Sequence, residues 1–213
     1  MSMTTFYFIR HGETEWNHNQ NRYCGRSDIA LAETGIFQSQ MLAKMLAAVP
    51  FDKVFASPLL RARTTALPII DRLGLPLNLD NRLKEIDFGD WEGLTQQEIE
   101  SDYPEQWQSW LNDPSSVKAG GHGESGNEVV RRLRSFVDDQ VATPFETLLV
   151  ITHNTVLRLF IAHSLGLPLT SYRNFEIDNG DTWVLNIDES GMVKWKAGLH
   201  MTQCMTHGLE PLV

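Results

Sequence analysis

Residues 147–151, Thr-Leu-Leu-Val-Ile, form a near-continuous apolar run that stops on Thr152-His153-Asn154. No other feature constrains the fold as much. A strand apolar on both sides has to be covered on both sides, which is the habit of parallel sheets flanked by helices. Residues 5–9, Thr-Phe-Tyr-Phe-Ile, repeat the arrangement and stop on Arg10-His11-Gly12-Glu13-Thr14. In open α/β sheets ligands sit beyond the carboxyl ends of the strands, so both polar groups are expected at one ligand-facing edge.

The rest of the chain alternates helix-like and strand-like stretches. Met41, Leu42, Met45, Leu46 and Val49 recur at three- and four-residue spacing, predicting a helix over 38–49 that Pro50 ends. Residues 53–56 read as a strand and 61–73 as a helix stopped by Gly74 and Pro76, which puts Arg61 just beyond a strand end. Thr95 with Glu98, and Ser125 with Glu128, have the spacing of reciprocal N-terminal capping. Between them lies a glycine-rich surface excursion containing Gly120, Gly121 and Gly123. Three strands, 175–177, 182–187 and 192–196, are expected near the end, the last two as a hairpin. The pattern predicts a single α/β domain over 1–213, with a loop and helical excursion near 95–125.

Eighteen Lys and Arg against 27 Asp and Glu leave a net charge of −9, which repels nucleic acid and anionic membranes in the far field. Any anionic ligand must then be held by a local basic cluster. No apolar run approaches the roughly 20 residues of a membrane span, and the first residues lack a signal-peptide pattern. With only two cysteines, Cys24 and Cys204, no disulfide framework is suggested, and a cytoplasmic location is expected. The remaining histidines show no helical metal spacing, so neither a metal nor another cofactor is expected.

Arg10, His11, Arg61 and His153 all fall at expected strand ends. Two guanidinium forks bind a phosphoryl group bidentately, and a neutral imidazole is a competent nucleophile toward phosphorus. By spacing alone, Arg61 reads equally as a helix-surface charge, Glu85 as a turn residue and His153 as a polar core group.

The wording of the motifs separates these readings. Residues 8–17, FIRHGETEWN, resemble the signature of the histidine phosphatase superfamily, the phosphoglycerate-mutase-like proteins. The resemblance continues in family order through RYCG at 22–25, SPLLRARTTA at 57–66, LKEIDFGDWEG at 83–93, GES at 123–125 and His153. It implies a three-layer α/β/α sandwich around a mostly parallel sheet. It also implies catalysis without a metal, with His11 as the phosphorylated nucleophile. Arg10, Arg61 and His153 would form the phosphate pocket, Asn17 a further phosphate ligand, and Glu85 the proton donor and later the base. Cys24, Gly25 and Asn154 follow as further substrate contacts.

Family mutases carry Arg-His-Tyr after the acid, whereas Glu85 is followed here by Ile86-Asp87-Phe88, in a run that resembles small-metabolite phosphatases. Hydrolysis of a small phosphorylated metabolite is therefore expected. Mutase-type transfer and a non-hydrolytic phospho-ligand-binding role are the alternatives, and a homo-oligomer is allowed. Two departures stand out. Asn154-Thr155 replaces the family's Gly-Gly, with Asn154 either capping the next helix or entering the pocket, and Ala30 and Ala32 replace a proline and a threonine.

Overall fold

The computed structural model describes residues 3–201. Six strands form one sheet in the order β3-β2-β4-β1-β5-β6, built from β1 (Met3–Arg10), β2 (Lys53–Ala56), β3 (Leu77–Leu79), β4 (Thr147–Thr152), β5 (Thr182–Asp188) and β6 (Val193–Leu199). The first four strands in that order are mutually parallel, and β5 and β6 are antiparallel additions at one edge. As expected from their composition, β1 and β4 are central. Phe6, Phe8, Leu148 and Val150 point into one core, while Ile9, Leu149 and Ile151 point into the other. Each central strand is therefore buried on both faces, which is why neither shows polar alternation.

Helices α2 (Glu33–Met45) and α3 (Leu60–Leu73) cover one face through Leu42, Leu46, Ala62, Ala66 and Ile69. On the other face lie α6 (Gly126–Val141) and α7 (Asn154–Ser164), with α4 (Gln96–Asp102) and α5 (Pro104–Asn112) in the excursion. The short helix α1 (Glu15–His18) follows β1 directly. Trp91, Trp107 and Trp110 are buried core residues, and Trp91 packs edge to face on both of the others. Among the described residues, no helix is long and apolar enough to cross a membrane.

Both expected capping boxes are present, Thr95 opening α4 and Ser125 opening α6. A third, Thr14 with Asn17, opens α1, an Asn serving where the sequence pattern calls for Glu or Gln. Helix α2 starts at Glu33, earlier than the apolar period indicates, and its last regular residue is Met45. The expected strand at 175–177 does not form. The Ile177 carbonyl accepts a hydrogen bond from Arg10 Nη1 at 2.6 Å, so it serves a side chain instead of a ladder. β3 was not anticipated, because Leu77–Leu79 is too short and too exposed for alternation to register.

The first turn of α2 packs directly on the loop that leaves β1. Ala32 N–H donates to Glu13 O at 2.9 Å, and a Cβ on Gly35 would overlap that same Glu13 carbonyl. A Gly35→Ala variant is therefore expected to lose about 1–3 kcal/mol by overpacking. For a chain of this size that lowers the thermal midpoint by roughly 2–12 °C. An unfolding curve superimposable on that of the wild type would show that the contact tolerates a methyl group.

Candidate active site

The carboxyl ends of β1, β2 and β4 bring His11, Arg61 and His153 together. Arg61 and His153 are fully buried and His11 nearly so. The His11 and His153 rings lie 5.1 Å apart at 61°. Arg61 Nε–H is shared between them, 3.2 Å from His11 Nε2 and 3.2 Å from His153 Nδ1. Its remaining arms donate to the carbonyls of Ser27 (2.8 Å), Cys24 (3.0 Å) and Gly25 (2.8 Å). Arg61 is thus a buried post that ties the loop after α1 to both imidazoles, not a helix-surface charge.

These contacts assign the tautomers. His11 Nδ1 lies 2.7 Å from Gly12 O, and a carbonyl only accepts, so the proton sits on Nδ1 and Nε2 keeps its lone pair. His153 Nδ1 accepts from Arg61, so its proton sits on Nε2, which is buried and has no partner. Burial, then Arg61 and Arg10, hold the His11 pKa well below the ordinary imidazole value, against the pull of the Gly12 hydrogen bond. His153 is held low by burial and by Arg61. For both rings burial is the larger cause, ahead of the arginines.

Arg10 anchors on the Ile177 carbonyl, while its buried Nε has no partner. Burial lowers its pKa to about 10, opposed chiefly by Glu85, Asp178 and Asp181. Glu85 is buried against the N-terminus of α7. Its Oε2 accepts from Thr155 N–H at 3.1 Å, and its Oε1 from Val156 N–H at 3.2 Å and Ile86 N–H at 2.9 Å. Burial raises its pKa, and these N–H groups together with Arg61 restrain the rise. Behind Glu85, Arg132 donates to the Glu85 and Arg82 carbonyls and pairs with Glu124, fixing the turn that carries the carboxylate.

A cavity of about 290 Å³ opens in front of this cluster, with Arg10, His11, Asn17, Cys24, Glu85 and Asn154 on its wall. Arg61, His153 and Gly25 do not line it. Arg61 and His153 stand behind His11, and Gly25 contributes a carbonyl to Arg61 and a close backbone approach to Ile86 O that excludes a side chain. Burial pushes the Cys24 thiol up to about 11. Asn17 spends Oδ1 on Thr14 N–H and on Asn179 Nδ2 and donates from its amide nitrogen to Asn21 Oδ1 at 3.5 Å, Asn17 and Asn21 both lying on the cavity wall. Asn154 does not cap α7. That helix starts behind His153 with no side-chain cap, and Asn154 Oδ1 is buried and unpartnered. His122 is exposed, near Asp90, and takes no part in the wall. Sequence reasoning missed Asn179, which donates to His11 O at 3.0 Å, and Arg158, Tyr172 and Arg173 on the far wall. All four lie beyond His153, the last residue the quoted motifs reach.

A nucleophilic imidazole, a buried carboxyl and convergent guanidinium groups at the edge of a parallel sheet define a phosphoryl-transfer site. A family model for the histidine phosphatase superfamily (branch 1) matches residues 6–197, and the chain belongs to that family. It is 32% identical over 188 residues to phosphoserine phosphatase 1 of Hydrogenobacter thermophilus, the match covering 88% of each chain. It is also 32% identical over 184 residues to the adenosylcobalamin/α-ribazole phosphatase of Salmonella typhimurium, covering 86% of this chain and 90% of that one. The crystal structure of an α-ribazole-5'-phosphate phosphatase from Escherichia coli superposes with a TM-score of 0.82 at 29% identity, covering 93% and 97%. Within the family, the chain is a phosphoric monoester hydrolase for small organic phosphates.

The depressed histidines give a direct expectation. Below pH 6.5 the unfolded chain takes up two protons that the folded chain refuses, so acidification costs stability through these two sites. Glu85, raised above 4.5, works in the opposite direction with one proton. In an NMR titration the ring signals of His11 and His153 should stay those of neutral imidazole through pH 6.5. A midpoint near 6.5 for either ring would contradict the account.

Proposed function

We propose that the cavity hydrolyses phosphomonoesters without a metal, through a phosphohistidine at His11. The observation that carries this reading is the His11 Nδ1 to Gly12 O contact, which puts the ring proton on Nδ1 and leaves Nε2 as the nucleophilic nitrogen, its lone pair accepting from Arg61 Nε–H until phosphorus takes it. In the first step Nε2 attacks phosphorus, the N–P bond forming as the ester P–O bond breaks in line. Glu85 gives its proton to the departing oxygen, which leaves as an alcohol. In the second step the Glu85 carboxylate takes a proton from water, whose oxygen attacks phosphorus as the P–N bond breaks. Phosphate leaves and neutral His11 returns. Arg10 and the Asn17 side chain, both on the cavity wall, meet the phosphoryl oxygens, while Arg61 holds both rings and adds positive charge from behind.

Phosphate release should survive EDTA and fall at least ~10³-fold in His11→Ala. Glu85→Gln should lose roughly 10²–10⁴-fold on alkyl phosphates and much less on p-nitrophenyl phosphate, whose leaving group needs no proton. Loss of activity in EDTA, or turnover unchanged in His11→Ala, would defeat the reading.

The buried, unpartnered Asn154 Oδ1 calls for a hydrogen-bond donor on the substrate next to the ester. Asn154→Gly is expected to raise KM roughly tenfold for phosphate esters with a hydroxyl or ammonium beside the ester carbon, and to change it little for p-nitrophenyl phosphate. Equal effects on both would assign Asn154 to the phosphate end.

A further inference from the structure

The far wall of the cavity carries positive charge that the phosphoryl chemistry does not use. Arg173 and Tyr172 belong to a 3-10 turn, Leu169–Asn174, and with Arg158 and Tyr23 they line the cavity away from His11. The Arg173 guanidinium lies 4.6 Å from the centre of the Trp107 ring and 5.4 Å from that of Tyr172, so it is held flat between α5 and its own turn. Its Nε is buried and has no hydrogen-bond partner. Arg158 fixes that turn from below, donating from Nε to Tyr172 O at 2.9 Å and from Nη2 to Arg173 O at 2.8 Å. Among the described residues, neither arginine has a carboxylate within ion-pair distance. Among the described residues, the only acid on the cavity wall is Glu85, on the side of His11.

Two half-buried guanidinium groups with no carboxylate partner, held in place beside a cavity, are suited to a ligand that supplies the counter-charge. The phosphoryl group is taken by the other end. At about 290 Å³ the cavity stands at the small end of the roughly 300–1,000 Å³ usual for ligand sites. We infer that the alcohol half of the substrate is short and carries a carboxylate, which Arg173 reads from a position set by Arg158 and Trp107. The Tyr23 hydroxyl adds a neutral donor, its ionisation pushed up to about 12 by burial. This inference rests on the hydrolase reading above and names the substrate class for the same site.

Matched substrates test it. O-phosphoserine and O-phosphoethanolamine differ by a carboxylate, and 3-phosphoglycerate and glycerol 1-phosphate exchange a carboxylate for a hydroxymethyl. The wild type should prefer the carboxylated member of each pair roughly ten- to hundredfold in kcat/KM, the range of a charge-assisted hydrogen bond. Arg173→Gln should bring both ratios near one, and Arg173→Lys should restore part of the preference. Release from p-nitrophenyl phosphate with no preference in either pair overturns the inference and leaves the hydrolase reading standing. No release from any compound overturns the hydrolase reading itself. Should Arg173→Gln lose all turnover, the comparison moves to binding of 3-phosphoglycerate and glycerol 1-phosphate by His11→Ala. Equal dissociation constants there would also overturn the inference.

Discussion

The buried guanidinium of Arg61 is the contact on which the site depends. A charge withdrawn from water must be met by fixed dipoles, and here the carbonyls of Cys24, Gly25 and Ser27 meet it from one side and two imidazole nitrogens from the other. Those carbonyls are themselves aimed by Glu92, whose carboxylate accepts the N–H groups of Gly25, Arg26 and Ser27. One side chain therefore sets the tautomer of His153, lowers the proton affinity of both rings and closes the loop over them. Without it, the two histidines would be ordinary polar residues at strand ends.

Glu85 faces a related conflict in the opposite sense. Burial favours its neutral form, while the N-terminus of α7 and the backbone of Ile86 favour the carboxylate. Such opposed influences suit the proposed part of Glu85, which first gives a proton and then takes one. The surrounding turn has little freedom to relax, since Arg132 grips two of its carbonyls and is held in turn by Glu124.

Much of the architecture was legible because it follows from local rules. The doubly buried β1 and β4 announced themselves as unbroken apolar runs, and the boxes at Thr95 and Ser125 by their spacing. What failed to show were features decided by tertiary contact. The residues at 175–177 have strand-like composition, yet the Ile177 carbonyl is claimed by Arg10, a partner 167 positions away. The Thr14–Asn17 box hid because an asparagine stands where the pattern calls for Glu or Gln. Motif wording pointed to the end of the cavity around His11, since its residues cluster in short segments. The opposite wall is assembled from Tyr23, Arg158 and the turn at Leu169–Asn174, which meet only in three dimensions.

That division of the cavity has a bearing on how such a chain can diverge. The end around His11 and Arg61 is welded into strand termini and backbone carbonyls, where almost any exchange disturbs several partners at once. The other end hangs on a 3-10 turn and a helical insertion joined to the sheet by few contacts of their own. New leaving groups can therefore be sampled by editing the insertion and the turn, while the reaction itself is inherited unaltered.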